Sequence, residues 1–191
     1  YIPALMVMTW SQVSHWKNSI TIFKHAISVT DKVYPNFALA HANLGSALSA
    51  ERKTEDAIFH FTKAIKLEPN FTLAHNNLGN ALSDAGKTEE AISHYKLAIK
   101  LKPGYAAAHN NLGIALSNSR KIDEAISHYK MAIKFKPNVA QSHYNLGLDL
   151  LTAVKVQEAI SHFKIAINLK PDFALARNNL KIALNISEGE K

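Results

Sequence analysis

Cysteine is absent from this chain, which excludes disulfides and thiolate metal sites and leaves its redox compartment unmarked. Glycine (7) and proline (6) are scarce among the 191 residues, and no stretch rich in either interrupts them. A single continuous unit therefore fits better than linked domains. No run of about 20 apolar residues occurs, so no segment spans a bilayer by itself. Also missing is any tract of five or more basic residues, although the formal net charge is +7. The lysines stand singly, as in AIKLEP, AIKLKP and AIKFKP, where they suit a solvated face and the negative end of a helix. Dispersed in this way, they argue against nucleic acid as a partner.

What the chain does have is a period. HANLGSAL (41–48), HNNLGNAL (75–82), HNNLGIAL (109–116), HYNLGLDL (143–150) and the decayed RNNLKIAL (177–184) follow one another at 34 residues. Gly45, Gly79, Gly113 and Gly147 keep that interval, as do Pro35, Pro69, Pro103, Pro137 and Pro171, and Ala57, Ala91, Ala125 and Ala159. A fixed period carried by helix-compatible residues marks a solenoid. The units run over 38–71, 72–105, 106–139 and 140–173. A divergent helical pair over 1–37 precedes them, and a capping helix and tail over 174–191 follow.

Each unit reads as two helices. Ala40, Leu44, Ala47 and Leu48 give an apolar stripe on the first, and Ala57, Ile58, Phe61, Ala64 and Ile65 on the second. Glycine inside the first helix costs about 1 kcal/mol against alanine, so its recurrence predicts close helix–helix approach. Thr54 and Thr88 are expected N-caps before the acidic pairs Glu55-Asp56 and Glu89-Glu90, with Asn70, Asn138 and Asp172 capping the helices after each proline. Those prolines end the second helices by removing a donor.

With these marks, NLGNALSDAGKTEEAISHYKLAIKLKP (77–103) resembles the tetratricopeptide repeat, fully over 38–173. One departure is histidine at 41, 75, 109 and 143, where that family most often has tryptophan. The resemblance implies an all-α, right-handed superhelical α-solenoid of helix-turn-helix repeats. It also implies a non-catalytic scaffold that binds a protein or extended peptide segment in its concave groove. Residues 174–186 resemble the family's solvating C-terminal helix, with Lys181 replacing the packing glycine.

The front of the chain departs from the pattern. SITIFKHAI (19–27) follows the second-helix outline, but four extra residues near 29–33 separate it from Pro35. YIPALMVMTW (1–10) is almost wholly apolar, and two readings of it stand open: a first helix buried on its neighbour, or the end of a membrane segment upstream. TWSQVSHWKNSITIFKHAI (9–27) is similar to the membrane-to-repeat junction of membrane glycosyltransferase-like proteins bearing these repeats. That similarity implies an alternative function, the repeat region of such an enzyme presenting protein acceptors.

Within the repeats no chemistry converges. Gly86-Lys87-Thr88 looks like the end of a phosphate loop, but Ala81 stands where its first glycine is required. His41, His75, His109 and His143 form one column, and His60, His94, His128 and His162 another. Members of a column lie a helix-packing distance of about 8–10 Å apart, too far to share zinc with bonds of about 2.1 Å. Local hydrogen bonding of half-buried imidazoles is expected instead, with no metal, cofactor or catalytic group.

What remains is a stripe on the first helices at 39, 43, 46 and 50 and their equivalents, which in the resembling family lines the groove. Its candidate peptide-binding residues are Asn43, Asn77, Asn80, Asn111, Asn118 and Asn145. A carboxamide donates and accepts, so it can pair with any peptide backbone. Asparagine before Leu-Gly is also common in that family as plain scaffold, and both readings stand. Asn76 and Asn110 occupy places where a groove clamping a C-terminal carboxylate would need lysine. Toward the C-terminus Ser49, Ser83 and Ser117 give way to Leu151, which joins Ile114, Leu148 and Ile182 as an apolar anchor or a homo-oligomer patch. The competing reading packs Leu148 and Leu151 under the terminal helix.

Overall fold

The computed structural model describes residues 20–25, 27 and 38–189. The expected N-terminal pair, its insertion, the apolar decapeptide and the junction-like segment otherwise lie outside the described residues. Residues 20–25 and 27 are helical, with Ile20 buried. From residue 38 the elements are α1 (Ala38–Ala50), α2 (Thr54–Leu67), α3 (Thr72–Asp84), α4 (Thr88–Leu101), α5 (Ala106–Asn118), α6 (Ile122–Phe135), α7 (Ala140–Thr152), α8 (Val156–Leu169) and α9 (Ala174–Gly189). The chain is an all-α solenoid of paired helices and divides into two compact units between Ala85 and Gly86. In the first, α2 packs against both α1 and α3; in the second, α4 to α9 pack in sequence, each against the next.

The expected close approach is present, and an aromatic ring accounts for it. A Cβ added at Gly45 would stand 2.8 Å from the Phe61 ring, and one at Gly113 or Gly147 2.6 Å from Tyr129 or Phe163. Glycine is thus the socket into which the second helix of the same repeat lays its ring. Small second-helix residues complete the fit: Ala57, Ala64, Ala125 and Ala159 are wholly buried. Leu112, Leu116, Leu146 and Leu150 fill the space between the helices of the second unit.

The helix ends differ from the sequence expectation. Thr54 and Thr88 are the first helical residues, and Lys53 and Lys87 hold the cap positions without a side-chain cap bond. Asn70 and Asn138 likewise fall one residue short, because Phe71 and Val139 occupy the caps. Backbone geometry terminates the first helices. Arg52, Arg120 and Val154 turn left-handed at φ 58°, 61° and 60°, and Gly86 at 76°. The next N–H then returns to the helix, from Lys53 to the Leu48 carbonyl at 3.0 Å and from Lys155 to that of Leu150 at 2.8 Å. Gly86 is therefore a turn glycine, which disposes of the phosphate-loop likeness.

Two substitutions of opposite sign test this account. Gly113→Ala gains about 1 kcal/mol of helix propensity but overpacks Tyr129, so a net loss of about 1–2 kcal/mol is expected in denaturant melts. Val154→Gly removes a β-branched residue from the left-handed region and is expected to stabilise by about 1 kcal/mol.

Candidate functional site

The first-helix stripe of the first unit frames an open recess of roughly 360 Å3, with Ser46, Ser49, Asn77, Asn80 and Asp84 at its edge and Phe61 beneath. The ring that fills the Gly45 socket thus also floors the recess. Its size suits one side chain of a segment lying across it.

The six candidate asparagines do not share one environment. Asn80 and Asn118 are exposed, Asn43, Asn77 and Asn111 half-buried, and Asn145 buried. Asn77 accepts from Asn76 Nδ2 at 3.2 Å and donates at a long 3.4 Å to Ser46. Asn145 is committed on both sides: Gln141 donates to its Oδ1 at 2.8 Å, and its own Nδ2 reaches Asn110 Oδ1 at 3.3 Å. Asn110 also accepts from Ser142 at 3.1 Å. In the second unit the amides therefore tie α5 to α7.

At the apolar end Ile114, Leu148 and Leu151 are half-buried and Ile182 is exposed. The terminal helix meets Tyr144: Asn179 Nδ2 lies 3.3 Å from the Tyr144 hydroxyl, and the Tyr144 ring lies 4.8 Å from that of Phe173, just ahead of the helix. Asp149 was not singled out in the sequence, yet it is buried here and accepts from Ser117 Oγ at 2.7 Å. The signal that could have found it is its place in a column otherwise held by Ala47, Ala81 and Ala115.

In three repeats the two histidine columns meet, the first-helix imidazole pairing with one on the second helix of its own repeat. Nδ1···Nδ1 distances are 2.9 Å for His41–His60, 3.1 Å for His109–His128 and 3.0 Å for His143–His162. On the other side Nε2 of His75, His109 and His143 lies 2.9 Å from the carbonyls of Pro69, Pro103 and Pro137. A carbonyl only accepts, so each of these Nε2 atoms donates. With Nε2 carrying the hydrogen of a neutral ring, Nδ1 of His109 and His143 is the acceptor, and His128 and His162 donate Nδ1–H to it. Arg177 stands in the same column and donates to the Pro171 carbonyl. Among the described residues no group of three or more His, Asp or Glu side chains could hold a metal ion.

Family models described as tetratricopeptide repeat match residues 38–71, 106–139 and 60–93, and one described as TPR repeat matches 79–119. Together they span more than half of the chain. Two solved structures described as crystal structures of MamA are each 26% identical to it. The first covers 81% of this chain and 88% of its own, with a TM-score of 0.70. The second covers 81% and 82%, with a TM-score of 0.68. A MamA RS-1 ArsTM double mutant, 18% identical with a TM-score of 0.68 over 82% of this chain and 97% of its own, shares the fold. No curated protein sequence matches.

The imidazole pairs make stability depend on pH. Burial first, and the paired histidine second, hold His60, His128 and His162 below the ordinary imidazole pKa. A pair bonded through Nδ1 accommodates one extra proton, whereas two unfolded histidines take two. The unfolded state therefore binds more protons in acid, and stability present above the unfolded pKa of about 6.5 is lost as pH falls below it. Denaturant melts between pH 8 and 5.5 are expected to show this decline, and replacing His60, His128 and His162 by Gln to make it shallower.

Proposed function

We propose that this chain, which belongs to the tetratricopeptide-repeat family and is a non-catalytic scaffold for protein–protein interaction, takes an extended peptide segment along the first-helix face of its repeats. The binding units are the repeats 38–71, 72–105, 106–139 and 140–173, with 174–191 as the cap. The observation that carries the reading is the recess over Phe61, whose rim sets Asn77 and Asn80 beside Ser46, Ser49 and Asp84. Such a rim offers donors and acceptors to a backbone, and its apolar floor offers burial to one side chain. Asn43, Asn111 and Asn118 extend the same role along their helices. Asn145 contributes by fixing the groove wall, since both ends of its amide are engaged.

Ile114, Leu148, Leu151 and Ile182 supply the apolar anchor, and self-association through them is the second use of that surface. The exposure of Ile182 at 51% favours it. No helix among the described residues is long and apolar enough to cross a membrane. The glycosyltransferase reading rests on the junction-like segment alone, and none of the matches above supports it.

Asn77→Ala combined with Asn111→Ala is expected to weaken peptide binding about thirtyfold, at about 1 kcal/mol per amide, with Tm nearly unchanged. Equal loss of Tm with affinity intact, read by calorimetry, would count against the amides. Leu148→Glu is expected to shift any concentration-dependent oligomer toward monomer in sedimentation runs.

A further inference from the structure

Asp149 breaks its column. Ala81 and Ala115 are buried apolar residues at the equivalent place, whereas Asp149 puts a carboxylate there at 5% exposure. Ser117 holds Oδ1 at 2.7 Å, and Oδ2 is shut from solvent with no hydrogen-bond partner. Nor does a cation offset the charge, since the ion pairs found among the described residues are Lys53–Glu51 and Lys130–Glu158. Burial pushes its carboxyl above the usual range, against the pull of Ser117, and its field adds to the burial that raises the Tyr129 hydroxyl. A buried, half-satisfied carboxylate works against folding. Ala47, Ala81, Ala115 and Ala183 do without one at the equivalent positions, so the carboxylate departs from what the fold requires there.

The position suits a use in binding. Ser117 belongs to the half-buried serine column that borders the groove stripe, and Asp149 follows Leu148, a stripe residue, on α7. The carboxylate thus lies between two first helices, with Ile114, Leu148 and Leu151 as apolar neighbours in sequence and on the facing stripe. An ionised carboxylate only accepts, and in apolar surroundings the complement it lacks is a cation on an aliphatic stem.

We propose that Asp149 selects the bound segment by receiving one lysine or arginine side chain, whose stem lies on Ile114, Leu148 and Leu151 and whose charged end supplies the partner missing at Oδ2. This rests on the reading of the first-helix face as a peptide groove. A rotation of the Asp149 side chain, released from the rotatable Ser117 hydroxyl, opens Oδ2 to the incoming cation. With a net charge of +7 the scaffold repels a uniformly basic partner. A single basic residue within a neutral or acidic segment is what fits.

The test is selection from a displayed random-peptide library on the full chain, on Asp149→Asn and on Asp149→Ala. The alanine variant restores the residue of the other repeats and is expected to melt higher. Wild-type selections are expected to fix one Lys or Arg in otherwise non-basic peptides. Replacing that lysine by norleucine is expected to cost about tenfold in affinity on the wild type and nothing on Asp149→Asn. Peptides without a fixed basic residue, or the same peptides bound equally by all three proteins, would overturn the role of Asp149 and leave the groove standing. Recovery of no peptide by any of them would overturn the groove reading, and this one with it.

Discussion

In three of the repeats one aromatic ring lies against one glycine, and most other features follow from that contact. Phe61 on Gly45, Tyr129 on Gly113 and Phe163 on Gly147 bring two helices closer than any side chain at the glycine would allow. The approach demands alanine at 57, 64, 125 and 159 and leaves room for leucine at 112, 116, 146 and 150. It also sets which first-helix residues face away from the second helix, and so which can meet a partner. In the first unit the buried Phe61 also lies beneath the recess between Ser46 and Asn77.

The close approach at the glycines is legible in the sequence, whereas the ring that meets each of them is not. Glycine, alanine and proline columns at 34 residues left one economical reading, and the helices fall within it. The caps depart from expectation because threonine before an acidic pair serves equally well as a first helical residue, with Lys53 or Lys87 in the cap. The histidine pairing is not legible along either column, because the partners lie 19 residues apart across a repeat. Asp149 was readable as a break in an alanine column, but its unsatisfied oxygen became visible only with Ser117 in place.

The asparagines show why a repeated residue need not have a repeated role. Asn77 and Asn145 hold the same place in their repeats, yet one borders an open recess and the other is locked between Gln141 and Asn110. The difference lies in the neighbours. Where Leu73 stands beside the first, Gln141 stands beside the second and satisfies its acceptor. Both amides are engaged at each end, Asn77 by Asn76 and Ser46 and Asn145 by Gln141 and Asn110, so an unchanged residue is put to different use by its neighbours.

The proline carbonyls divide the array in another way. Those of Pro69, Pro103 and Pro137 are met by imidazoles, while that of Pro171 is met by a guanidinium. Arginine stays charged throughout the ordinary pH range, and α9 carries no imidazole pair. Acid therefore acts on the imidazole pairs inside the repeats 38–71, 106–139 and 140–173 and leaves the guanidinium contact at Pro171 as it is.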